Sequence, residues 1–113
     1  MDRDVKGYLS DILHSIELIE QHIEGVTTAK EYQNNFLVSD AISRRLAIIG
    51  EALAKATKLS SKIQVSHQNK IIALRHIIVH DYDKVDDNVI WSIIQIYLPL
   101  LKTDIEKLII EEY

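Results

Sequence analysis

The chain has 113 residues, 47% of them apolar, with three glycines, one proline and no cysteine; that composition describes a single folded domain over residues 1–113 and excludes disulfides and thiolate metal sites. Its net charge of −4 is unevenly spread: residues 1–40 and 77–113 each sum to about −5, whereas residues 41–76 sum to about +6, a pattern that suits a localised anion site, or acidic helices pairing with basic ones, better than a general nucleic-acid coat. No segment approaches the ~20 apolar residues of a membrane span, and the opening Met-Asp-Arg-Asp-Val-Lys lacks the apolar stretch of a leader peptide, so a cytoplasmic protein without membrane contact is expected.

The first helix is expected to start at Asp2 or Asp4, acids suited to a helix N-terminus. Val5, Tyr8, Leu9, Ile12, Leu13, Ile16, Ile19 and Ile23 then recur at spacings of three and four, an amphipathic stripe. His14 and His22 read as surface residues. Gly25 ends this helix through a left-handed residue. Thr28-Ala-Lys-Glu31 fits a capping box and opens a short helix. Asn34 and Asn35 weaken the periodicity, and Ser39 or Asp40 is the expected cap of a long helix reaching about Lys58. Ile42, Leu46, Ile49, Leu53 and Ala56 form its seam. Gly50 inside it costs about 1 kcal/mol relative to alanine, which points to a close helix contact or an approaching ligand.

Leu59-Ser60-Ser61-Lys62 reads as a loop, and Ser66 as the N-cap of a helix over residues 67–80. The acidic stretch after His80 ends the periodicity. A last helix runs from about Asn88 towards Glu111 and should be kinked or broken at Pro99. No β-period run, repeat or low-complexity segment occurs. The expected fold is therefore an all-α, up-down bundle of four long helices and one short helix, with a kinked last helix. Its apolar stripes are wide for so small a bundle, which predicts a homodimer.

The chemistry concentrates in residues 71–82, Ile-Ile-Ala-Leu-Arg-His-Ile-Ile-Val-His-Asp-Tyr. As a helix this stretch puts Ile71, Leu74, Ile78 and Tyr82 on one face, with Arg75 near the middle of the apolar arc. A guanidinium there needs an anion, and Glu51, the only acid between residues 41 and 76, is the candidate partner. Three roles follow for Arg75, His80 and Tyr82. They can be structural, with Arg75 paired, His80 at a helix end and Tyr82 in the core. His76 and His80, at i and i+4, can share a metal ion with Asp81 or Asp83 as third ligand. Or the residues can cleave phosphodiesters without metal. An imidazole then takes the proton from a 2′-hydroxyl, while a guanidinium stabilises charge on the phosphorane oxygens. Helical residues five apart point about 140° away from each other. For the third role, then, either the helix ends before His80, or Arg75 and His80 meet their counterparts across a dimer axis.

At these residues the chain resembles the HEPN superfamily, in its HepT-like toxin branch, whose signature Arg-x4-His-x-Tyr corresponds to Arg75, His80 and Tyr82. The likeness extends over nearly the whole chain, through Ile-Ile-Gly-Glu-Ala (residues 48–52), the acidic turn, Trp91 and the Leu-Pro-Leu step at Pro99. It departs at His76, where the family usually carries Asn. The resemblance implies a dimeric toxin ribonuclease that uses no metal or other cofactor, with Arg75 and His80 catalytic and His76, Glu51 and Asp81 in support. It also implies a cognate nucleotidyltransferase antitoxin of the MNT type that adds AMP to Tyr82. Arg44 and Arg45 are candidates for contacts to the RNA substrate. The other reading of such bundles is a non-catalytic substrate-binding or partner module of a small nucleotidyltransferase.

Overall fold

Four of the helices begin where a side chain takes over a free backbone N–H. A computed structural model describes residues 4–113, and the described residues hold helices and turns but no strand. The Asp4 carboxylate accepts from the Gly7 N–H at 2.7 Å and starts α1 (Val5–His22); Asp2, the other expected start, lies outside the described residues. Gly25, at φ 85°, reverses the chain two residues after the Ile23 cap. The Thr28 hydroxyl accepts from the Glu31 N–H at 3.1 Å and opens α2 (Ala29–Asn34), while the Glu31 carboxylate reaches back to the Thr27 N–H at 3.0 Å.

Helix α3 (Phe36–Leu59) starts earlier than expected. Asn35 caps it by accepting from the Val38 N–H at 3.2 Å, so Ser39 and Asp40 lie inside the first turns. Asparagine suits this position because its side-chain carbonyl satisfies a donor that has no intrahelical partner. Ser66 is likewise not the cap of α4 (Gln68–His80). Its N–H donates to Asp104 Oδ2 at 2.9 Å, and the chain reverses at His67, whose φ of 59° is left-handed. A left-handed residue with a side chain costs about 1–2 kcal/mol. Contact between the His67 and Tyr97 rings, 4.3 Å between centroids, offsets part of that cost.

After α4 a 3₁₀ turn (Tyr82–Lys84) leads to α5 (Asp87–Ser92), capped by Asp86. A π turn (Ile93–Tyr97) joins α5 to α6 (Leu98–Glu112) without leaving helical dihedrals. The distortion expected at Pro99 takes this form. Proline lacks an N–H and its ring collides with the carbonyl four residues back. The wider turn, in which the Leu98 N–H donates to the Ile93 carbonyl, accommodates it without a break.

The core is built on α3, which packs against α1 on one side and α4 on the other, with α6 against α1. Leu9, Ile12, Ile16 and Ile19 of α1 meet Ile42, Leu46, Ile49, Leu53 and Ala56 of α3, all buried as their spacing predicts. Each large apolar side chain of this kind stabilises the fold by about 1.5–3 kcal/mol. The Tyr32 ring packs beside Trp91 at 5.8 Å, and its fully buried hydroxyl lies near Ser43 without a hydrogen bond of good geometry. Burial, with smaller contributions from Asp87 and Asp40, raises the Tyr32 pKa well above the ordinary phenol value. Helix α4 is the least anchored of the long helices: only Ile71 and Leu74 are fully buried, and its sole close helical neighbour is α3. No helix among the described residues is long and apolar enough to cross a membrane.

Candidate active site

Gly50 sets the position of Arg75. A Cβ built on Gly50 would lie 2.5 Å from the Arg75 Cβ and 3.0 Å from the Ile71 carbonyl oxygen. The missing side chain therefore lets α4 settle directly onto α3, as the glycine's place in the seam predicts. Arg75 is half-buried at the edge of this contact and forms no ion pair or hydrogen bond among the described residues. The expected Arg75–Glu51 pair is not made. Glu51 lies 3.5 Å from Lys55, one turn further along α3, the i, i+4 register in which a carboxylate and an ammonium meet readily.

His76 and His80 lie one turn apart on the outward side of α4, both exposed, with ring centroids 4.8 Å apart. No group of three His, Asp or Glu side chains among the described residues is arranged to hold a metal ion. Neither Asp81 nor Asp83 therefore completes a site with this pair. His80 is the last residue of α4, and the Asp81 N–H still donates to the Ile77 carbonyl at 2.9 Å. The helix does not end before His80, so the ~140° divergence of residues five apart applies to Arg75 and His80. His76 lies between them, lining the same trough as Arg75 and touching the His80 ring.

Tyr82 leaves the helix. It begins the 3₁₀ turn and is 78% exposed, so it is neither part of the apolar face of α4 nor a core residue. The acidic residues that follow end the helix before the register that would bury Tyr82 is reached. Ile71 and Leu74 are buried as expected, and Ile78 is half-buried.

Helix α4 has a different groove on each flank. Towards α3 lies a trough of about 280 Å³ lined by Gly50, Glu51, Lys55, Lys58, Arg75 and His76. On the other flank, towards α5 and the π turn, lies an apolar groove of about 450 Å³ that includes Leu74, Ile77, Val89, Ile93 and Tyr97, with Lys70 at its rim. The Lys70 ammonium stands 3.3 Å from the Tyr97 hydroxyl. Lys55 and Lys58 also line the trough, and sequence reasoning did not single them out as site candidates. Their signal was the shared helical face of Glu51, Lys55 and Lys58. Arg44 is exposed and Arg45 half-buried on α3, neither with an ion-pair partner among the described residues. Pairing between acidic and basic segments does not account for the charge pattern: Lys62–Glu112, at 3.5 Å, is the only such ion pair among the described residues.

Comparison with known proteins bears on the chain as a whole. The sequence profile of the family described as "Ribonuclease HepT-like" matches residues 12–108. The chain is 35% identical over 113 residues to "Gamma-glutamylcyclotransferase and putative RNase MJ0434" of Methanocaldococcus jannaschii, an alignment that takes in 98% of this chain and 50% of that protein. It thus spans about half the length of that relative. It is 30% identical to "Putative RNase MJ1380" of the same organism, over 92% of this chain and 95% of the relative. It is 31% identical to "Probable ribonuclease HepT" of Thermococcus cleftensis, over 96% and 98% respectively. No solved structure matches the chain.

Proposed function

The chain belongs to the HepT-like ribonuclease family, and on that premise we propose that it is a metal-independent ribonuclease, the toxin of a toxin–antitoxin pair, acting in the cytoplasm as a homodimer. The observation that carries this reading is Arg75: a guanidinium half-buried where α4 settles onto α3 at Gly50, with no carboxylate partner among the described residues. A half-buried cation without a counter-charge is costly unless an anion visits it. A phosphodiester is such an anion.

In the proposed reaction His80 takes the proton of a ribose 2′-hydroxyl as the oxygen attacks the adjacent phosphorus. The bond to the 5′-oxygen of the next nucleotide breaks, that oxygen leaves as a hydroxyl by taking a proton from solvent water, and the His80 imidazolium returns its proton to solvent. A 2′,3′-cyclic phosphate remains. Arg75 balances the charge that builds on the non-bridging oxygens. Helical residues five apart point about 140° away from each other, so in the proposed dimer each active site takes Arg75 from one protomer and His80 from the other. The outward side of α4, where Ile77 and Val79 are exposed, is the face such a dimer covers. His76, packed against His80, orients its ring, and Asp81 caps the same helix end.

Tyr82 is proposed as the acceptor of AMP from an MNT-type nucleotidyltransferase antitoxin. Its exposure and its place two residues beyond His80 support this. An added phosphodiester and base would repel RNA and obstruct the imidazole. The test is cleavage of single-stranded RNA by the purified chain in excess EDTA. Cleavage that persists in EDTA and vanishes in Arg75→Ala and in His80→Ala is expected. Tight binding to a nucleotidyltransferase with no RNA cleaved at any concentration would instead make the chain a partner module.

A further inference from the structure

Both walls of the trough between α3 and α4 come from the basic segment, residues 41–76. Two helices of like charge lie side by side there, and the acidic helices do not neutralise them. Of the trough's charges, Glu51 is engaged with Lys55 at 3.5 Å, while Lys58 and Arg75 have no anionic partner among the described residues. The trough is therefore net positive, and one of its cations is the guanidinium already assigned to the scissile phosphate. Arg44 extends the line. On an ideal helix it lies within about 20° of the direction of Glu51, seven residues on, whereas Arg45 points 100° away from Arg44.

We infer that this trough is an RNA-backbone subsite, in which Lys58 and Lys55 hold the phosphates beside the one cleaved at Arg75, with Arg44 next along the strand. The inference rests on the ribonuclease reading for its substrate class. Lys55 and Lys58 are positioning residues, since they lie on α3 and do not reach the reacting atoms. The grip is electrostatic and indifferent to base identity. The close Gly50 contact brings the base of the Arg75 side chain against α3, and Arg75 lines the same trough as the two lysines.

The test uses the full chain and a fluorescein-labelled, 2′-O-methylated 12-nucleotide single-stranded RNA, which lacks the attacking hydroxyl and so reports binding alone. Lys55→Ala/Lys58→Ala should weaken binding about tenfold at fixed salt. It should also reduce the slope of log Kd against log salt by about 1.4, at ~0.7 for each lost phosphate contact. Lys30→Ala/Lys107→Ala removes as much charge away from the trough and should leave that slope unchanged. On cleavable RNA the Lys55/Lys58 double variant should raise KM while kcat stays within about twofold, with its thermal unfolding intact. Lys55→Gln/Lys58→Gln should behave the same way, which separates loss of charge from loss of packing.

Wild-type affinity and salt slope in the double variant would overturn the subsite, as would an equal loss in the Lys30/Lys107 control. So would a wild-type chain that does not bind the RNA. Binding that depends on these lysines, without cleavage of any RNA, would keep the subsite and remove the nuclease. Cleavage with an unchanged KM in the double variant would do the reverse.

Discussion

Gly50 and Arg75 are coupled through a missing methyl group: a Cβ on the glycine would stand 2.5 Å from that of the arginine. The same contact that lets α4 pack on α3 thus fixes where the guanidinium stands. Gly50→Ala should gain up to ~1 kcal/mol in helix propensity and lose about 1–3 kcal/mol to overpacking. A fall of several degrees in the thermal midpoint is expected, with a larger loss of cleavage than the stability change explains. A variant as stable and active as wild type would show that the helices separate without consequence.

A site shared across two protomers has a genetic signature. Arg75→Ala and His80→Ala homodimers should each lose at least about 100-fold in cleavage rate. Mixed after co-refolding, they should regain activity, because one of the two sites in a heterodimer then holds both an intact Arg75 and an intact His80. If the mixture stays inactive while heterodimers are demonstrably present, the two groups act from one chain.

Tyr82 offers a readout by mass. Incubation with the partner nucleotidyltransferase and ATP should add AMP increments to the intact chain and suppress cleavage. Tyr82→Phe should take up none and stay active in the presence of the antitoxin. Mass gain that survives the substitution would place the acceptor elsewhere.

The buried Tyr32 hydroxyl predicts a pH effect on stability. Burial disfavours the phenolate, so the folded-state pKa lies above the unfolded value of ~10. Below pH ~10 both states keep the proton and the contribution is flat. Above it the unfolded chain releases the proton first, and stability falls as pH rises. Urea midpoints measured between pH 8 and 11 should therefore drop more steeply for wild type than for Tyr32→Phe. At pH 7 the variant should be as stable or slightly more so, because it removes an unpaired buried hydroxyl. Parallel pH profiles would mean that water or a neighbour solvates this group.

What the sequence by itself determined is whatever depends on local geometry. The apolar stripe from Leu9 to Ile19, the seam from Ile42 to Ala56, the Thr28 cap and the left-handed Gly25 follow from helical period and backbone sterics, and each stands where the residues alone placed it. The placement of Arg75, His76 and His80 on one helix was legible for the same reason. Tertiary structure decided the rest. It put the start of α4 at His67 because Asp104, 38 residues away, takes the N–H of Ser66. It gave Glu51 to Lys55 and left Arg75 without a carboxylate partner among the described residues, and it put Tyr82 in solvent once the helix stopped at His80. These outcomes turn on competition among partners distant in sequence or on where a helix stops, and no period along the chain encodes which partner wins.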